Sequence, residues 1–154
     1  MAINPIYVLN GPNLNLLGQR QPDLYGAATL GDIETRLRDR ASVLGLAVEF
    51  RQSNHEGALI DWVQEARLKA AGIIINAGGL THSSVALMDA LLAADLPIIE
   101  VHLTNIYRRE AFRHHSYVSH AATGIICGLG AQGYELALDA LAERLQADVE
   151  KLDV

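Results

Sequence analysis

Five short apolar runs punctuate the chain, and between them hydrophobic residues recur at helical spacing. Ile6 to Leu9 follows Pro5 and reads as a first strand, broken at once by Asn10-Gly11-Pro12-Asn13. Ala47 to Arg51 alternates and reads as a second strand. Ile73-Ile74-Ile75 is β-branched throughout and reads as a third, buried on both faces. Ile98 to Val101 gives a fourth and Gly124 to Gly128 a fifth. The spacing predicts a helix over Thr29 to Leu44, with Thr29 and Asp32 as a capping box, Ile33, Leu37 and Leu44 as its apolar stripe, and Gly45 as its stop. Ser53-Asn54 is read as the cap of a second helix running to about Ala71. Val85 to Ala94 is a third, with Thr81, Ser83 and Ser84 as candidate caps, and Gly133 to Leu145 is the last. Two stretches keep neither period. Residues 14 to 28 read as a lid-like loop carrying Arg20 and Tyr25 between Gly18 and Gly26, and residues 102 to 117 as a polar, basic loop. Strands and helices alternate, which predicts a single α/β domain: a flavodoxin-like, doubly wound, five-stranded parallel sheet with helices on both faces.

Composition narrows the partners. The 154 residues suit one domain with a real core, and a net charge of -6 argues against nucleic acid or an anionic membrane as the main partner. Cys127 is the only cysteine, so no disulfide closes within the chain, and a reducing cytoplasm is expected. Its apolar neighbours make it a core residue rather than a nucleophile. No apolar run approaches bilayer length, and the N-terminus shows no signal-peptide pattern.

In an open parallel sheet, ligands bind beyond the carboxyl ends of the strands. The polar residues after each predicted strand are therefore the candidates. Strand one is followed by Asn10, Asn13, Arg20 and Tyr25, strand three by Asn76 and His82, and strand four by Glu100, His102, Arg108, Arg109 and Arg113. On an extended chain Glu100 and His102 point to the same side, where a carboxylate can fix a histidine's tautomer. A tyrosine near an arginine is a plausible general base, although Tyr25 would also serve as a loop anchor. Arginine forks suit a carboxylate or phosphate, although Arg108 to Arg113 would also serve as a solvated turn. His114 and His115 read as surface or interface, and Trp62 as core or interface. The strand-tip histidines have acid or amide neighbours rather than zinc-ligand spacing, so metal is a poor fit, and Gly78-Gly79 lacks the lysine of a phosphate loop. His82 and Asp89 are seven residues apart. On one helix they would share a face roughly 10 Å apart along the axis, placing Asp89 beyond the cleft and toward a neighbouring subunit.

Six segments carry a resemblance: NGPNLNLLGQRQPDLYG (10–26), QSNHEG (52–57), NAGGLTHSSVAL (76–87), EVHLTN (100–105), RREAFRHHSY (108–117) and GLGAQGY (128–134). They are similar to type II 3-dehydroquinate dehydratase, in that family's order and over nearly the whole chain. The resemblance implies a cytoplasmic lyase assembled as a homododecamer, a tetramer of trimers. It implies reversible loss of water from 3-dehydroquinate to give 3-dehydroshikimate through an enolate, without cofactor or metal. It further implies Tyr25 as base, Arg20 keeping it ionised, Asn13 holding a water that steadies the enolate, and His102 as acid, oriented by Glu100. Asn76, His82, Arg113 and the backbone of Leu103 and Thr104 would hold the substrate, Arg109 would close with the lid, and Asp89 would reach a neighbour's site. Gln21 stands where the family commonly has Glu, and His114 where Arg is frequent. The implied role is chorismate and aromatic amino acid biosynthesis, with quinate breakdown as the alternative. From the residues alone, a phosphate or flavin binder using the helix start at Thr81 to Ser84 is the main rival. A receiver-type module is disfavoured, because Asn10 stands where an acid is needed and the only lysines are Lys69 and Lys151.

Overall fold

A computed structural model describes residues 3–153. Among them five strands form one parallel sheet: β1 (Ile6–Asn10), β2 (Val48–Gln52), β3 (Gly72–Asn76), β4 (Ile98–His102) and β5 (Gly124–Cys127), in the order β2-β1-β3-β4-β5. β1 and β3 pair in register from Ile6↔Gly72 to Asn10↔Asn76, so their polar tips lie side by side. The helices are α1 (Pro22–Tyr25), α2 (Leu30–Leu44), α3 (Glu56–Lys69), α4 (Val85–Ala94) and α5 (Gln132–Leu152).

Period-two alternation sorts each inner strand between two cores. On one face Ile6, Val8, Ile74, Ile99 and Val101 meet Ile33, Leu37 and Ala41 of α2 and Tyr134, Ala137, Leu138 and Leu141 of α5. On the other, Tyr7, Leu9, Ile73, Ile75 and Ile98 meet Leu59, Val63 and Ala66 of α3 and Leu87, Leu91 and Ala94 of α4. Leu37, Leu59 and Leu138 are fully buried. Truncating any one of them to alanine costs about 2–5 kcal/mol. The doubly wound architecture is thus the one the alternation predicts. The capping box is present as well: Asp32 donates its backbone N–H to Thr29 Oγ1 at 3.1 Å, and Thr29 donates to Asp32 Oδ2 at 2.9 Å.

Four expectations change. Ser53 and Asn54 do not cap α3, whose N-cap is His55 with no side-chain bond. Helix α5 continues to Leu152, because residues 146–152 contain no glycine or proline to stop it. The lid is locally ordered, with a 3-10 turn at Leu14–Leu16 and the single-turn α1, which Pro22 starts at its first position. Cys127 is only half-buried, because β5 is an edge strand with one flank unpaired.

Candidate active site

The two central turns fit together only because they contain glycine. A Cβ on Gly11 would stand 2.3 Å from the carbonyl oxygen of Ala77. One on Gly78, where φ is +59°, would stand 2.9 Å from that of Pro12. Gly11 also donates its N–H to Asn76 O at 2.8 Å. This close backbone contact forms the floor of a cleft of about 140 Å³ at the carboxyl edge of the sheet.

Beneath the floor lies a buried polar network. Tyr134 of α5 donates its hydroxyl to Asn10 Oδ1 at 2.7 Å and accepts from Asn76 Nδ2 at 3.0 Å. Asn10 in turn donates to Arg51 O at 3.0 Å, and Asn76 Oδ1 accepts from the N–H of Gly78 at 3.2 Å. Burial drives the Tyr134 hydroxyl far above the ordinary phenol value, so it stays a neutral donor. Asn10 is therefore part of the support and does not line the cleft. Asn76 does both.

Above the floor, Asn13, Arg20, Tyr25, Asn76, His82, His102, Leu103, Thr104, Arg109 and Arg113 line one cleft. Tyr25 ends α1 and is half-buried. Two guanidinium groups lie close to its ring, with Arg20 Cζ at 5.7 Å and Arg109 Cζ at 5.4 Å from the centroid. Arg109 also reaches Thr104 Oγ1 at 3.4 Å, and Arg113 is held by Glu110 at 2.8 Å. Arg108 is exposed and lies outside the cleft lining.

His102 and Glu100 meet as their shared strand face requires, His102 Nε2 donating to Glu100 Oε2. Glu100 is 1% exposed. Burial pushes its carboxyl up. Hydrogen bonds from His102, from Ser119 at 2.6 Å and from Ser116 at 2.8 Å, together with the attraction of His102, outweigh that and hold it below the usual value. Ser116 and Ser119 are functional neighbours that sequence reasoning missed. Two hydroxyls in a polar loop carry no spacing signal that names their partner.

His82 ends a 3-10 turn (Gly78–His82), one element before α4, and its ring stacks 6.4 Å from that of His102. Burial lowers its pKa, against the pull of the His115 carbonyl that accepts from Nδ1 at 2.9 Å. The neutral ring then presents Nε2 as an acceptor. Asp89 lies on α4, exposed and away from the cleft. The shared-face argument for His82 and Asp89 fails, since the two residues are not on one helix. The rival anion site at the start of α4 is occupied internally: Ser84 Oγ accepts from Leu87 N at 2.9 Å. Among the described residues no helix is long and apolar enough to cross a membrane.

Fold and site together define an α/β protein of the flavodoxin-like type, with a cluster of acid–base groups beyond the carboxyl ends of β1, β3 and β4. The family model Dehydroquinase class II matches residues 4–142, and the chain belongs to that family. A 3-dehydroquinate dehydratase 2 of Pseudomonas aeruginosa is 58% identical over 142 residues, covering 92% of this chain and 96% of that protein. Among solved structures, a type II dehydroquinase from Butyrivibrio crossotus superposes with a TM-score of 0.89 at 41% identity, covering 92% of this chain and 99% of that one. One from Propionibacterium acnes gives 0.88 at 46% identity, covering 91% and 97%.

Proposed function

We propose that this chain is a type II 3-dehydroquinate dehydratase, a hydro-lyase of the shikimate route to aromatic amino acids. One observation carries the reading: a tyrosine with two arginines close to its ring and a histidine on a buried glutamate face the same small cleft. Loss of water next to a carbonyl needs a base, an oxyanion stabiliser and an acid for the leaving group. Tyr25, as phenolate, takes the proton from the carbon next to the ketone. The electron pair moves onto the carbonyl oxygen and forms the enolate. Asn13 holds the water that steadies this oxygen, and the guanidinium of Arg20 stabilises the developing charge. The enolate then expels the hydroxyl, and His102 protonates it, so that water leaves. Glu100 fixes the ring of His102 and balances the imidazolium that precedes this step. Asn76, His82, Arg113 and the backbone of Leu103 and Thr104 bind the hydroxyls and carboxylate, and Arg109 closes with the lid.

The same reading makes the working unit a homododecamer built from trimers in the cytoplasm, with Asp89 acting toward a neighbouring subunit. The exposure of Val85 and Leu92, seven residues apart on α4 with Asp89 between them, supports a partnered helix face. The direct test is spectroscopic. Addition of 3-dehydroquinate to the purified protein should produce the rising absorbance of a conjugated enone. A flat trace at saturating substrate overturns the assignment.

A further inference from the structure

Released from capping, the Gln52-Ser53-Asn54 segment has another occupation. It runs beside residues 10–15 and prolongs the pairing of β1 with β2 beyond the strand ends, where Asn10 faces Gln52. Ser53 donates its N–H to Asn10 O at 3.0 Å. Gln52 Nε2 reaches Gly11 O at 3.1 Å, Asn54 Oδ1 at 3.2 Å and Asn15 Oδ1 at 3.4 Å. Asn54 Oδ1 accepts from the backbone N–H of Asn13 at 3.0 Å. Neither Gln52 nor Asn54 lines the cleft. What they grip is the turn that does. Asn13 lies in the left-handed region, at φ 70° and ψ -4°, and is the residue from which the first 3-10 turn of the lid departs. A non-glycine residue in that region holds its conformation only where its surroundings fix it. The direction of its side chain follows from that backbone conformation.

We propose that Asn54, backed by Gln52, is a positioning residue for Asn13: one amide oxygen, itself held by Gln52, fixes the left-handed turn that aims the Asn13 side chain into the cleft. The inference rests on the reading of Asn13 given above. It needs only an acceptor at the Asn54 Oδ1 position, and this makes it testable by a conservative pair. Asn54→Asp keeps an oxygen for both donors, whereas Asn54→Leu keeps the bulk and removes the acceptor. A misplacement of this kind lowers turnover on the order of 10- to 100-fold.

Steady-state kinetics on the intact oligomer should show that fall in kcat for Asn54→Leu, with KM changing less than about threefold. Asn54→Asp should recover most of kcat, and Gln52→Met, which removes the donor that orients Asn54, should lie between the two. In parallel, deuterium uptake by the segment spanning residues 11–17 should quicken in Asn54→Leu and return toward the wild-type rate in Asn54→Asp. Unchanged kcat in Asn54→Leu, or equal losses in the two Asn54 variants, overturns the proposal. So does identical uptake in all of them. A wild-type chain inert on 3-dehydroquinate overturns the functional reading instead, and the uptake comparison then decides the clamp alone.

Discussion

At the scale of single residues, the tyrosine is the sharpest test. Tyr25→Phe keeps the ring beside Arg20 and Arg109 and removes only the hydroxyl. Loss of a general base costs about a hundredfold to ten-thousandfold in rate. The expected outcome is a kcat loss at the top of that range with KM largely kept, read from the enone assay. Near-normal turnover would remove Tyr25 from the chemistry. A Schiff-base route can also be tested, because it needs a lysine in the cleft. Lys69 closes α3 and Lys151 lies in the last turn of α5, neither in the cleft lining. Borohydride added with substrate should leave activity intact, and a reduced adduct on either lysine would contradict the enolate mechanism. Glu100 supplies a pH signature. Its carboxyl is held below the ordinary carboxylate value in the folded chain and titrates at that ordinary value when unfolded. Its stabilisation is therefore complete above that ordinary value and is lost as pH falls through the folded one. The urea midpoints of wild type and Glu100→Gln should differ most near neutrality and converge as the pH falls below the ordinary carboxylate range. Parallel curves would mean that Glu100 is not the ionised partner of His102.

At the scale of elements, the contact between the β1 and β3 turns dominates. In Gly11→Ala the new methyl meets Ala77 backbone atoms at 2.3 and 2.6 Å, and neither can swing aside as a side chain would. Overpacking of this kind costs about 1–3 kcal/mol. The cleft floor must shift as well, so thermal stability and kcat/KM should fall together. Gly57→Ala in α3 is the control. Nothing lies within 4 Å of its Cβ, and the change should be neutral or stabilising by up to about 1 kcal/mol. These elements also show what the sequence makes legible. Ile73 to Ile75 betrays its strand because a strand covered on both faces must be apolar at every position. Glu100 and His102 betray their pairing because period two is a property of the backbone. Asn54 misleads, because an asparagine before a helix satisfies the local rule for a cap while its partner, Asn13, lies 41 residues away. Ser116 and Ser119 stay silent for the same reason, since only the tertiary fold brings their loop over Glu100. Asn10 looks like a site residue because it stands at a strand tip, and only the position of Tyr134 shows it turned inward.

At the scale of the whole molecule, the cleft already gathers ten of the expected groups within one chain, with Glu100 behind them, and leaves Asp89 outside. If Asp89 serves a neighbour, two impaired variants can rescue each other. Tyr25→Phe and Asp89→Ala are unfolded together, mixed and reassembled. Interfaces that pair an intact Tyr25 from one chain with an intact Asp89 from another should restore activity well above the sum of the parents. Mixed oligomers that regain nothing would confine Asp89 to its own chain or to no role in the site. Light scattering on the wild type checks the assembly directly, with a dodecamer as the expected mass.

The Tyr134 network has a consequence for how the protein is made. Asn10 and Asn76 lie buried at the two central strand tips, and the hydroxyl they share arrives 124 residues after the first and 58 after the second. A growing chain that has emptied β1 to β4 from the ribosome while residue 134 is still in the exit tunnel holds two amides with no partner for their inward atoms. The burial of such groups is costly until the partner comes. Synthesis order therefore delays closure of the cleft floor to the end of translation. A nascent chain stalled before α5 should be soft to protease at residues 10–13 and 76–79, the turns whose backbones fit closely together in the finished enzyme.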